Sequence, residues 1–410
     1  MKILQVNKFY YPKDGVSNYL LGLEAELKRL GHEVRVFAMD NPKNIDSEDK
    51  KYFVSYLSFD KHGLINTWRS FARIFYSWEA KRKFQALIND FRPDIIHVHN
   101  IYHQISPSIL SVARREKIPV VMHLHDYKLI CPNYKLFTGG KICKRCRGGK
   151  YYNCLFNKCL KDSYLKSFGG TLEMYFHHHI WRIYEKGIKL FIAPSQFMKK
   201  TVEEFSWPAE KIICLHNFFK DQAGQSGPNN QNNSNNPNNY LLYFGRLSEE
   251  KGVSVLIEAL AKTEENLKIA GEGPEENKLK DLSNQLGLNS RIEFLGFKTG
   301  EALENLIINA RAIIIPSVWF ENMPLNMLES LARQKVVIAS NIGGIPEIIK
   351  DNKTGFLFAP GDVDDLTKKI KLLKEVETDS ISRNAKETVK DLNVQAHVQE
   401  ILKIYQKAIK

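Results

Sequence analysis

What this chain lacks narrows it first. Within its 410 residues no apolar run reaches the roughly 18 residues needed to cross a bilayer. Its opening, MKILQVNKFYYPKDG, is a short apolar strand and a polar loop, too brief for the apolar region of a signal peptide. Both features point to the cytoplasm. Neither half leads its first strand into Gly-x-Gly-x-x-Gly, which disfavours a dinucleotide-dependent oxidoreductase. No residue pair stands out as a nucleophile with its base. Acidic side chains are scarce in the first half: residues 1–220 carry 36 Lys and Arg against 20 Asp and Glu, whereas the remainder carries 23 against 26. An excess confined to one half implies an anionic partner there, whether nucleic acid, an anionic leaflet or a lipid-linked phosphate. The cations follow no recognised nucleic-acid module, so nucleic acid is set aside.

What is present is an alternation of strands and helices, twice over. Ile3–Val6 is a short apolar strand. From Val16, Tyr19, Leu20, Leu23, Leu27 and Leu30 recur on one helical face, and Gly31 stands where a left-handed cap is expected. Further strands follow at 32–37, 95–98, 120–124, 191–193 and 212–215. The segment 223–239 has no hydrophobic residue but Ala223, so it cannot offset its ordering entropy and reads as an Asn-rich flexible linker. After it the rhythm restarts, with strands near 241–244, 267–270, 292–295, 313–315, 336–339 and 356–358. Buried β-branched strands alternating with helices predict two doubly wound α/β domains, 1–222 and 240–393, whose ligands bind in loops after strands.

Those loops hold the chemistry. After strand 241–244, Arg246 and Lys251 lie in a glycine-bounded loop opening a helix; a forked guanidinium, an ammonium and helix N–H groups suit a diphosphate. After strand 313–315, Pro324 fits the first position of a helix, leaving Glu321 in the loop and Glu329 more than a turn inside. Two such carboxylates can accept pairs of sugar hydroxyls. After strand 336–339, Gly343-Gly344 lets backbone approach an anion ahead of Pro346 and Glu347.

GRLSEEKG, the Glu321-x7-Glu329 pair and GGIPE, in this order and spacing, resemble the family 4 glycosyltransferases. The resemblance spans essentially the whole chain and is strongest over 240–360. It implies a GT-B fold of two facing Rossmann-like domains, the second holding a nucleotide-diphosphate sugar such as UDP- or GDP-sugar. It also implies retaining, metal-independent transfer with no cofactor required, as in bacterial surface-polysaccharide synthesis. Carried over, Arg246 and Lys251 neutralise the diphosphate, Glu329 binds the ribose and Glu321 the transferred sugar. Gly271, Gly273 and Phe297 flank the nucleobase. Asn322, Met323, Pro324 and Leu325 line the donor site, with Asn322-Met323-Pro324 replacing the Gly-Phe-Gly of many members. Gly15 offers a backbone N–H, although Asp14 stands where a second glycine is usual. His125 matches the histidine near the reacting carbon; His99 and His123 sit at comparable strand ends. The terminal stretch 394–410 is helical in pattern, and the resemblance packs it back on the first domain.

Five of six cysteines fall between 131 and 159. Cys143-Lys-Arg-Cys146 has zinc-knuckle spacing, and Cys154 with Cys159, or Cys131, would complete a structural zinc set. The insertion 131–165 also interleaves cations with Tyr151, Tyr152 and Phe156, a composition suited to an anionic membrane surface. The expectation is a cytoplasmic enzyme, peripheral at the inner face of the cell membrane, acting on a lipid-linked or glycan acceptor. The alternatives are an epimerase-like GT-B enzyme and a binding-only sugar-nucleotide protein.

Overall fold

A computed structural model describes residues 1–56, 73–219 and 240–410; the linker expected at 223–239 lies outside them. The chain divides into two compact units. One comprises Met1–Thr138, Cys143–Asn217 and Val394–Lys410, and the other Gly139–Ile142 and Phe218–Asn393.

The first unit is built on strands β1 (Lys2–Val6), β2 (Glu33–Phe37), β3 (Ile95–Val98) and β4 (Val120–His123). Beyond the two-residue strands β5 (Phe137–Thr138) and β6 (Lys141–Ile142), its sheet continues with β7 (Leu190–Ala193) and β8 (Ile212–Cys214). The sheet order is β2-β1-β3-β4-β7-β8, parallel throughout. Order reverses between β1 and β3, so the loops leaving these strands flank the crevice where such sheets bind ligands. Helix α1 (Gly15–Arg29) starts on one of those loops. Asp14 is its N-cap, the carboxylate accepting from the Ser17 N–H and hydroxyl, both at 2.9 Å. Asp14 therefore has a local role that a second glycine could not fill. Gly31 follows the helix at φ 81°, as its position predicted.

The helix Val394–Ile409 belongs to this first unit. Its buried residues Val398, Ile401, Ile404, Tyr405 and Ala408 recur at helical spacing.

The second unit carries β9 (Tyr240–Phe244), β10 (Asn266–Ala270), β11 (Ile292–Gly296), β12 (Ala312–Ile315), β13 (Val336–Ser340) and β14 (Phe356–Phe358). Its order, β11-β10-β9-β12-β13-β14, is again all parallel and reverses between β9 and β12. Strand pleating divides its core cleanly. Leu241, Tyr243, Ile314 and Ile338 face one cluster, while Tyr240, Leu242, Phe244, Ile313, Ile315 and Val337 face the other. Covering both faces requires near-continuous apolar strands, which is what the sequence supplies.

Candidate active site

In the second unit the loops after β9 and β12 meet at the sheet's reversal. Lys251 Nζ donates to Glu321 Oε1 at 2.7 Å, and Ser317 Oγ donates to the same oxygen at 2.6 Å. The Glu321 side chain is only 6% exposed and that of Lys251 26%. The ammonium also stands 5.1 Å from the Trp319 ring centroid. Ser317 and Trp319 escaped sequence reading, because a loop serine and tryptophan carry no signal until the loop's path is known. Arg246 is exposed, and its carbonyl accepts from the Tyr243 hydroxyl at 2.7 Å.

Glycine makes this nesting of loops possible. A Cβ on Gly252 (φ 65°) would collide with the Pro316 carbonyl, one on Gly271 with the Gly245 carbonyl, and one on Gly273 with that of Leu247. A Cβ on Gly343 would strike the Glu321 carbonyl, and the Gly344 N–H donates to that same carbonyl at 2.8 Å. The GGIPE turn thus fixes the backbone of the first glutamate. Pro324 is the N-cap of the helix Leu325–Ala332 rather than its first residue, since its ψ of 125° is extended.

Glu329 lies in the second turn of that helix. Burial pushes its carboxyl up to about 7; Arg333 opposes the shift and Glu304 reinforces it. Arg333 cannot neutralise it fully, because its Nε forks onto both Glu304 oxygens at 2.7 and 2.8 Å and its Nη1 donates to the Glu329 carbonyl. Phe297 is exposed, its N–H directed at Glu272 Oε1 at 3.4 Å. Met323 is buried in the core, so only its backbone is available to a ligand, and Asn322 is buried beside it. Asp362-Val363-Asp364, a D-x-D spacing that sequence reading passed over, is otherwise engaged: Asp362 caps the helix Val363–Leu372 and Asp364 pairs with Lys262 at 2.6 Å.

In the first unit the structure gathers His97, His99, His123 and His125 at the ends of β3 and β4. His123 and His125 stack at 4.4 Å. His99 Nε2 faces Gln5 Oε1 at 2.7 Å and His99 Nδ1 faces His125 Nε2 at 2.9 Å. With the Gln5 oxygen as acceptor, His99 is protonated on Nε2, and His125 donates from its Nε2. Burial pushes the His125 imidazole down to about 3, the Asp14 carboxylate opposing. His125 is consequently a neutral ring, suited to hydrogen bonding rather than to delivering a proton. Tyr19 packs on His123 and His125 and donates to His397 Nε2 at 2.7 Å, while His397 Nδ1 donates to the His216 carbonyl at 2.9 Å. Tyr405 meets His97 Nδ1 at 2.8 Å. Gly15 begins α1 in the same unit.

The cysteines do not form the expected zinc cage. Among the described residues no three His, Cys, Asp or Glu side chains are disposed to hold a metal ion. Cys131 Sγ instead donates to Asn133 Oδ1 at 2.9 Å. The set of Cys143, Cys146, Cys154 and Cys159 therefore does not fit a structural zinc here. Tyr151 is also corrected: it is buried against Tyr175, leaving Tyr152 and Phe156 outside.

Two α/β units with reversing parallel sheets and ligand loops at the reversals define the GT-B class. The model of Glycosyltransferase Family 4 matches residues 13–222 and that of Glycosyl transferases group 1 matches 228–391. The chain belongs to glycosyltransferase family 4. An uncharacterized glycosyltransferase of Methanocaldococcus jannaschii is 26% identical over 385 residues, covering 89% of this chain and 87% of that protein. A 42.6 kDa protein in the cps region of Klebsiella pneumoniae is 25% identical, covering 85% and 87%. Among solved structures, Anabaena HepE in complex with UDP and glucose aligns with a TM-score of 0.69 at 20% identity, covering 99% of this chain and all of that one. Sucrose-phosphate synthase of Thermosynechococcus elongatus gives 0.70 at 18% identity, covering 99% and 98%.

Proposed function

We propose that this glycosyltransferase moves a sugar from a nucleoside diphosphate, UDP or GDP, to a lipid-linked or polysaccharide acceptor with retention of configuration. The observation that carries the reading is the Lys251–Glu321–Ser317 group at the β9/β12 reversal. It puts a cation for phosphate and a carboxylate for sugar hydroxyls side by side, each already held by the other. Arg246, exposed on the same loop, adds a forked cation for the diphosphate. Glu329 accepts the ribose hydroxyls, and Gly271, Gly273 and Phe297 flank the base. His125, neutral, hydrogen-bonds the donor sugar, and Gly15 offers its N–H.

Catalysis is then electrostatic. Arg246 and Lys251 stabilise charge as it develops on the leaving diphosphate, so the reading needs no divalent metal and no protein nucleophile. The UDP and glucose bound to Anabaena HepE support a nucleotide-sugar donor. The Klebsiella relative's cps region supports an acceptor in surface-glycan synthesis, as does the colanic acid biosynthesis glycosyltransferase WcaL of Escherichia coli, 28% identical over 180 residues.

Melting in the presence of nucleoside diphosphates and their sugars tests this, since a ligand of the folded state raises the melting temperature by mass action. Wild type should respond to one base above the others. Arg246→Ala should lose the response to diphosphate, and Glu321→Ala should keep the free nucleotide's shift but lose the extra shift given by the sugar. No rise with any nucleotide would sink the donor-site reading, and conversion of donor without acceptor would move it to an epimerase.

A further inference from the structure

The helix Tyr164–Tyr175 runs on through a π-helical turn, Phe176–Ile180, to Trp181. Its inner face is fully employed. Ser167 Oγ accepts from the Leu160 N–H, Thr171 Oγ1 donates to the Tyr151 carbonyl, and Glu173 holds Lys128 at 2.8 Å. The outer face is apolar instead of polar. Tyr164, Leu165, Phe168, Leu172, Phe176 and Ile180 recur at helical spacing, all exposed or half-exposed, with Leu165 at 78%. At 1.5 Å per residue the stripe is about 25 Å long. Scattered exposed apolar residues are ordinary, but a continuous stripe this long marks an interaction surface.

Both ends of the stripe broaden. Beside its start stands Phe156, 71% exposed and paired with Tyr152, on the helix Tyr152–Phe156 that packs against it. Beyond its end Trp181 meets Tyr76, which in turn meets Trp78, and Lys81 stands over both of the latter rings. Ile180, Trp181 and Tyr76 also wall an open cleft of about 310 Å³ whose rim carries Arg114 and Lys186.

The charge around the stripe is one-sided. Between residues 158 and 189 the sequence has six Lys and Arg against three Asp and Glu. Of the three, Glu173 is buried and Glu185 is paired with Arg182, which leaves Asp162. Lys158 stands over the Tyr164 ring at 4.5 Å, with Lys161 and Lys166 exposed nearby. Aromatic rings and long cations flanking an in-plane apolar helix face match the headgroup boundary of an anionic bilayer. A second protein copy would have to set these like charges against each other.

We propose that the outer face of the 164–181 helix, with the cleft at its C-terminal end, docks this protein on an anionic lipid bilayer. The inference deepens the reading above that the acceptor is lipid-linked, and it identifies the surface that meets the membrane. Full-length protein should co-sediment with vesicles of phosphatidylcholine mixed with phosphatidylglycerol, and much less with phosphatidylcholine alone or at high salt. Leu165→Ser/Phe168→Ser should lower partitioning by about tenfold or more. Lys158→Glu/Lys161→Glu/Lys166→Glu should do so on the anionic vesicles alone. Both variants should keep the nucleotide-dependent melting shift, which certifies their folding and separates this proposal from the donor-site reading. Unchanged partitioning in Leu165→Ser/Phe168→Ser overturns the proposal, as does a wild type that ignores anionic vesicles. So would a wild-type dimer that this variant dissociates, since the stripe would then be a self-interface.

Discussion

Glu329 shows how one side chain's environment sets its use. Its carboxyl titrates near 7 because burial disfavours the charge and Glu304 occupies the arginine that could have relieved it. In the role proposed for Glu329 a ribose diol donates to the ionised form, so nucleotide affinity should rise as pH passes upward through about 7. Calorimetric Kd values from pH 5.5 to 8.5 should show that rise for wild type and a flat profile for Glu329→Gln, about tenfold weaker at the alkaline end. The folded state holds this proton more tightly than the unfolded chain does. Wild type therefore loses stability as pH rises toward and through 7, and Glu329→Gln should melt higher than wild type at pH 8 but alike at pH 5. His125 is the opposite case, with burial holding it neutral.

At the scale of elements, the site depends on how closely loops approach. The Gly252 Cα sits at φ 65° against the Pro316 carbonyl, and the Val318 N–H donates to the Glu250 carbonyl at 3.0 Å, so the β9 and β12 loops are zipped backbone to backbone. Gly252→Ala adds both left-handed strain and a collision, together about 2 kcal/mol or more. It should separate Lys251 from Glu321 and abolish the nucleotide-dependent melting shift, with far-ultraviolet circular dichroism unchanged at low temperature. A surface alanine such as Lys278→Ala should do neither.

At the scale of the whole molecule, the chain's last residues return to its first unit. The path from α1 to the terminal helix runs through Tyr19, His397 and the His216 carbonyl, with Tyr405 and His97 as a second tie. His397→Ala would leave the Tyr19 hydroxyl and the His216 carbonyl without this partner. Each such loss costs about 1–3 kcal/mol. Urea unfolding should show a lower midpoint at unchanged slope for the transition of the first unit.

The amino-acid sequence alone carried the strand–helix alternation, the two-domain α/β class and the loop signatures around Arg246, Lys251, Glu321 and Glu329. Each of these is written in local spacing: a strand's apolar run, a glycine where φ is positive, a carboxylate one loop past a strand. The histidine group was legible only as separate strand-end residues. Gln5, Tyr19, His97, His99, His125 and His397 come from five stretches of chain, and nothing local says that they meet. The cysteines mislead for the same reason, since knuckle spacing permits a metal cage but only the fold directs the sulfur atoms. The 164–181 stripe is the plainest instance. Apolar residues at helical spacing read as core in any sequence, and tertiary structure alone decides which face finds a cover and which is left for another surface.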